Sequence, residues 1–353
     1  MPPSISNKSI QHGLKIFITL TLLGFICIFY FTGTRETIQA LRDFHISYFI
    51  LAVLLIGVDF ISGAGRIFIF IRKIGDHSPK HAFVSSFKAN LSNVFLAAVT
   101  PFQTGGGVAQ IYMLNRSGYS VAGATSVSIM NFVATLSFLM IAGLLVLRWM
   151  TRTFTDFQFR FILSFSSSIF YVVTFVFIIF LFRPMSIGRC VEWILLKLAR
   201  ICKTKSVTLE GLADKIHDFV GSYHSHIIHF WKYEKPTLFH NIWLTALLYF
   251  NKCLTAYMVL KGMGLNPSFF QVVSVQILLI FLIYFCPTPG ASFLAETSTA
   301  ALMSLIIPNH LVSVFSILWR FFTTYIGVIV GGIILMRVIG SNPKNSDSSQ
   351  KTD

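Results

Sequence analysis

TPFQTGGGVAQIYMLNRSG, residues 100–118, decides how this chain is built. It lies in an apolar segment, 82–114, long enough to cross a membrane, yet Pro101, Gly105, Gly106 and Gly107 interrupt that segment in the middle. A second apolar segment, 269–307, is interrupted in the same manner by PTPGAS, residues 287–292, which carries Pro287, Pro289 and Gly290. Proline removes a backbone donor and clashes with the preceding turn, and glycine weakens a helix interior, so neither segment reads as one continuous helix. Inside hydrocarbon, backbone released from a helix needs partners from protein or from a water-filled cavity. Each break therefore marks a re-entrant hairpin or a pair of short helices around a site, and either returns the chain to the side it entered from.

Six uninterrupted apolar stretches flank the breaks: Leu14–Thr32, Tyr48–Phe70, Val121–Leu147, Phe161–Phe182, Leu238–Leu260 and Leu311–Met336. Each approaches or exceeds the roughly 20 residues of helix that a 30 Å hydrocarbon core requires. Of the 353 residues, 54% are hydrophobic and 12% charged, against about a quarter charged in a soluble domain. The chain is therefore expected to be an all-α polytopic membrane protein of about six full spans and two broken hairpins. Lys8 and Lys15 precede the first stretch, and no small-residue cleavage site follows it, so it is read as an uncleaved first span. A single transmembrane domain over 1–338 leaves 339–353 as a Ser-, Asn- and Lys-rich tail, expected to be disordered and cytoplasmic.

The formal charge of +15 is a matter of orientation. With a cytoplasmic N-terminus, 18 of the 28 Lys and Arg fall on the inside, six outside and four within spans or hairpins. The positive-inside rule then places both termini in the cytoplasm of a cell (inner or plasma) membrane. Basic residues scattered between apolar spans do not form a nucleic-acid face, and no reader motif is present, so no nucleic-acid partner is expected. One inside segment, about 184–236, is long. Leu209, Leu212, Ile216, Phe219, Tyr223, Ile227 and Phe230 recur there at helical steps, which predicts an amphipathic helix at the membrane surface. Four His along it (217, 224, 226 and 229) lack a shared face, and the five Cys are scattered, so no metal and no cofactor are expected.

The two breaks also align with one another. PFQTGGGVAQ (101–110) sets against PTPGASFLAE (287–296) at an offset of 186 residues, with Gln110 opposite Glu296. At the same offset 48–70 maps to 234–256, overlapping the span 238–260, 121–147 maps to 307–333, overlapping 311–336, and Arg66 falls on Lys252. Repeat units of about 48–147 and 238–336 would enter the membrane from opposite sides. Inverted repeats whose broken helices meet near the midplane are how many secondary transporters build a site open alternately to either side.

Ionisable residues inside these spans sharpen the reading. Asp59, Arg66, Lys88, Lys252, Glu296 and Arg320 lie in apolar stretches, where each costs about 2.5–3.5 kcal/mol on insertion scales. Lys88 is early enough in its segment to reach the interface. Arg66, Lys252 and Arg320 are expected to form a cationic pocket for an anionic head group, with Glu296 as counter-ion or proton-linked switch. A structural salt bridge pinning the second hairpin to the last helix is the simpler alternative for Glu296 and Arg320. Gly327 and Gly331 in the last span form a GxxxG suited to close helix packing. P-loop, GxSxG, HExxH and paired acidic motifs are absent, so no enzymatic site is expected.

TPFQTGGGVAQIYMLNRSG (100–118), PTPGASFLAE (287–296), Arg66 and RFFTTY (320–325) resemble the transmembrane domain of lysylphosphatidylglycerol synthases and their stand-alone flippase-like relatives, over about residues 10–338. The resemblance implies movement of an aminoacylated or anionic lipid between leaflets. In the full synthases a separate cytosolic domain transfers lysine from its tRNA. No counterpart of it is expected here, which leaves a lysyltransferase-related protein, or a non-catalytic partner of a lipid-modifying enzyme, as the alternative. Two departures from the family pattern stand out: Phe293 where relatives often have Gly, and Gln110 where some have an acid.

Overall fold

A computed structural model describes residues 7–32, 42–153 and 230–340, with isolated positions 37, 39, 172 and 175. All regular structure among the described residues is helical. The helices are α1 (Asn7–Thr32), α2 (Ile46–Ile74), α3 (Pro79–Ala98), α4 (Gly105–Arg116), α5 (Val121–Thr153), α6 (Lys235–Gly262), α7 (Phe269–Tyr284), α8 (Leu294–Met303), α9 (Asn309–Arg320) and α10 (Ile326–Gly340). Among the described residues, five stretches are long and apolar enough to cross a membrane: α1, α2, α5, α6, and α9 with α10 taken together. The expected span 161–182, almost all of the amphipathic segment 184–236 with its four His, and the tail from 341 lie outside the described residues.

The chain divides into two compact units, one formed by 1–139 with 236–353 and the other by 140–235. In the first unit α3 is central, packing against α2, α4 and α10. Its start is set locally: Ser78 accepts from the His81 backbone N–H at 3.3 Å, and Pro79 occupies the first helical turn. Against α3, α10 crosses so closely that a Cβ on Gly331 would strike the Leu91 carbonyl, and one on Gly327 would come within 2.9 Å of Val94. The GxxxG is thus a packing device.

Both broken segments are helical hairpins. α3 and α4 run antiparallel, with Asn93 donating to Gln110 at 3.2 Å. α7 and α8 do the same, with Gln276 Nε2 reaching Met303 Sδ at 3.9 Å. The return helices have 12 and 10 residues, about 18 and 15 Å long, too short for a 30 Å core. The first turn is Pro101–Gln103 and the second Pro289–Ala291. Their backbones repeat: Phe102 and Gln103 have φ 52 and 55, Gly290 and Ala291 φ 58 and 54. Pro101 therefore corresponds to Pro289, two residues beyond the Pro287 of the motif alignment.

The glycine run also has another role than the one expected of it. Gly105, Gly106 and Gly107 do not make the turn; they open α4. A Cβ on Gly105 would come within 2.7 Å of Thr100, and one on Gly106 within 2.7 Å of Asn93. Those glycines let the two arms of the hairpin approach. The left-handed turn itself falls on Phe102 and Gln103, residue types that sequence pattern does not flag.

Candidate functional site

The tips of the two hairpins meet. The Phe102 N–H donates to the Cys286 carbonyl at 3.1 Å, and Gln103 Nε2 donates to the Ile283 carbonyl at 3.3 Å. Beside this junction lie two adjoining cavities, of about 420 and 210 Å³, which share Asn93, Gln103, Tyr249, Lys252 and Tyr284 among their walls.

Asp59, Arg66 and Lys252 are the charged residues lining the larger cavity. Asp59 and Arg66 lie two turns apart on α2, and Lys252 comes from α6. Lys252 Nζ pairs with Asp59 at 2.9 Å. Arg66 is buried at 8% exposure and is held by neutral acceptors: Thr135 Oγ1 at 2.9 Å, the Asn131 carbonyl, and Asn241 Oδ1 at 3.4 Å. Nε and Nη2 are used in this way, and Nη1 has no hydrogen bond among the described residues. With the lysine and aspartate cancelling, the cavity wall carries one net positive charge, seated on Arg66.

Arg320 and Lys252 line the smaller cavity. Arg320 sits at 2% exposure, donating from Nε to Glu296 at 3.0 Å, from Nη2 to the Gly290 carbonyl at 3.0 Å, and from Nη1 to Thr324 at 3.4 Å. Its guanidinium also lies 5.7 Å from the centre of the Tyr325 ring, which packs edge-on against Phe17 and Phe25 of α1. Ser292, just past the second turn, bonds Thr21 of α1 at 2.9 Å. Arg320 thus ties together the second turn, α8 and the last span. A π-helical turn, Phe321–Tyr325, follows it directly; such turns shift the side chains after them around the helix axis and recur at functional sites.

The expected pocket is therefore divided. Arg66 and Lys252 line one cavity, Lys252 and Arg320 the other, and Glu296 lines neither, being fully buried against Arg320. Thr104, Gly107 and Gln110 of the first hairpin face the larger cavity, and Gly290 of the second faces the smaller.

This arrangement coincides with a family match. The family model described as the lysylphosphatidylglycerol synthase TM region matches residues 13–331. The chain belongs to that family. Both hairpins and all four charged residues expected of the site fall within the match, which makes this a multi-pass membrane protein related to lysylphosphatidylglycerol synthesis. No curated protein matches the chain.

Some members of the site were not foreseen. Asn131 with Thr135, and Asn241 with Thr245, are polar pairs four residues apart in apolar spans, and α5 and α6 turn them inward. That spacing was the available signal for the neutral cradle around Arg66. Outside the spans, Tyr119 closes the end of the first hairpin against His77, ring centres 4.8 Å apart, and burial pushes its phenol above the ordinary value.

Proposed function

We propose that this protein carries a lipid with an anionic head group between the leaflets of the cell membrane, the head group passing through the two adjoining cavities. Candidate cargoes are an anionic or aminoacylated phospholipid or a polyprenyl-phosphate lipid. The observation that carries the reading is a polar, net-cationic cavity of about 420 Å³ among apolar spans, bordered by the tips of two broken helices. Buried charge in a span is expensive and persists where it serves a pathway. Family membership supports a lipid-related role.

The hairpin tips act as the moving parts. A few hydrogen bonds hold them to each other, whereas α3 is packed along its length, so parting the tips is the less costly motion. The protein binds and moves its lipid without changing it covalently. Head-group-labelled phosphatidylglycerol in proteoliposomes tests this: the full chain should expose inner-leaflet label to an external quencher, and protein-free vesicles should not. Equal protection in both would remove the proposal. Formation of lysyl-lipid from charged tRNA by the purified chain would also contradict it.

A further inference from the structure

Gln110 has an arrangement that the cationic cavity does not by itself explain. It is 3% exposed, lies on α4 and lines the larger cavity. Its Oε1 accepts from Asn93 Nδ2 at 3.2 Å, which fixes the amide orientation and leaves Nε2 without a partner. An orphan buried donor is costly, and native proteins keep few of them. Arg66 lines the same cavity, and its Nη1 also has no hydrogen bond among the described residues. On the acceptor side, Asn131 Oδ1 in that cavity is likewise unpartnered.

We propose that Gln110, oriented by Asn93, is a head-group contact that works with Arg66 to select a lipid with a singly charged phosphodiester. The proposal rests on the transport reading for its lipid and adds the class of head group. A phosphodiester accepts from Arg66 Nη1 and Gln110 Nε2, and its one negative charge meets the one net positive charge of the cavity wall. Asn131 Oδ1 accepts from a hydroxyl or ammonium elsewhere on the head group. A diphosphate brings more negative charge than the one net positive charge of this wall neutralises. A carboxylate at position 110 would repel the phosphate, whereas the glutamine amide donates to it.

Native mass spectrometry of the full chain in detergent tests the subsite through binding alone. The probes are phosphatidylglycerol, farnesyl diphosphate as the diphosphate, and glycerophosphoglycerol as a water-soluble phosphodiester. Wild type should retain phosphatidylglycerol against equimolar farnesyl diphosphate and against excess glycerophosphoglycerol. Gln110→Met, close in shape but lacking the donor, should weaken phosphatidylglycerol binding about tenfold, and Gln110→Glu further. Both variants should keep the wild-type unfolding midpoint; if Gln110→Glu does not fold, Gln110→Met carries the test. Unchanged binding by Gln110→Met, or displacement by farnesyl diphosphate at equal concentration, would overturn the proposal. Displacement by glycerophosphoglycerol would overturn the lipid as ligand. Binding as expected without translocation in vesicles would leave the subsite standing and remove the transport reading.

Discussion

Single residues carry the strain and charge of this site. Phe293, just before α8, has φ 70 and ψ −50, a conformation that costs an L-residue about 1–3 kcal/mol. Glycine adopts it freely, and the side chain is 38% exposed, so little packing is lost with it. Phe293→Gly should raise stability by about 1 kcal/mol, read as a higher unfolding midpoint in detergent. The opposite sign is expected at Glu296. Removing its carboxylate leaves Arg320 buried without a counter-charge, and Glu296→Ala should cost about 3–5 kcal/mol. Replacing both partners with Leu and Met should recover most of that loss in the same measurement, which separates an ion pair from simple packing. These residues were unequally legible in the sequence. Charges in apolar spans announce themselves, because each needs a partner. Which partner each takes depends on helix packing, and Asp59 and Lys252 meet across nearly 200 positions of chain.

At the scale of elements, the breaks were legible because proline and glycine act on the backbone locally. The turn geometry was not, since Phe102 and Gln103 take positive φ under tertiary constraint while the neighbouring glycines serve packing. The π turn at Phe321–Tyr325 was hidden for a related reason: a continuous apolar run carries no mark of one extra residue per turn. Close approach of α10 to α3 can be tested directly. A methyl group on Gly331 meets the Leu91 carbonyl, which belongs to backbone and cannot rotate away. Gly331→Ala should therefore destabilise by about 3 kcal/mol, at the upper end of overpacking costs, whereas the same change at Gly57, which faces open space, should be neutral or slightly stabilising. Comparing the two unfolding midpoints checks whether the GxxxG works through contact.

The whole molecule raises a question of parity. The five apolar spans among the described residues, with two hairpins that return to their own side, would by themselves leave the termini on opposite faces. The positive-inside reading, with 18 of 28 basic residues assigned to one face, expects the termini on the same face and hence a sixth span, for which the apolar stretch 161–182, outside the described residues, is the candidate. Epitope tags at both ends should be cleaved together by protease added to inside-out vesicles and spared together in right-side-out ones. Cleavage of one tag alone would refute the topology. The two hairpin turns share a backbone conformation, and their tips touch.

Transport through the cationic cavity is the central claim, and Arg66 is where the cavity's unbalanced charge resides. The most direct measurement compares translocation of labelled phosphatidylglycerol in proteoliposomes by wild type, Arg66→Gln and Arg337→Gln, the last changing a cation at the far end of α10, outside both cavities. Arg66→Gln should lower the rate about tenfold or more, corresponding to about 1.4 kcal/mol of lost head-group interaction, with Arg337→Gln at the wild-type rate. Equal rates for all three folded proteins would contradict the account.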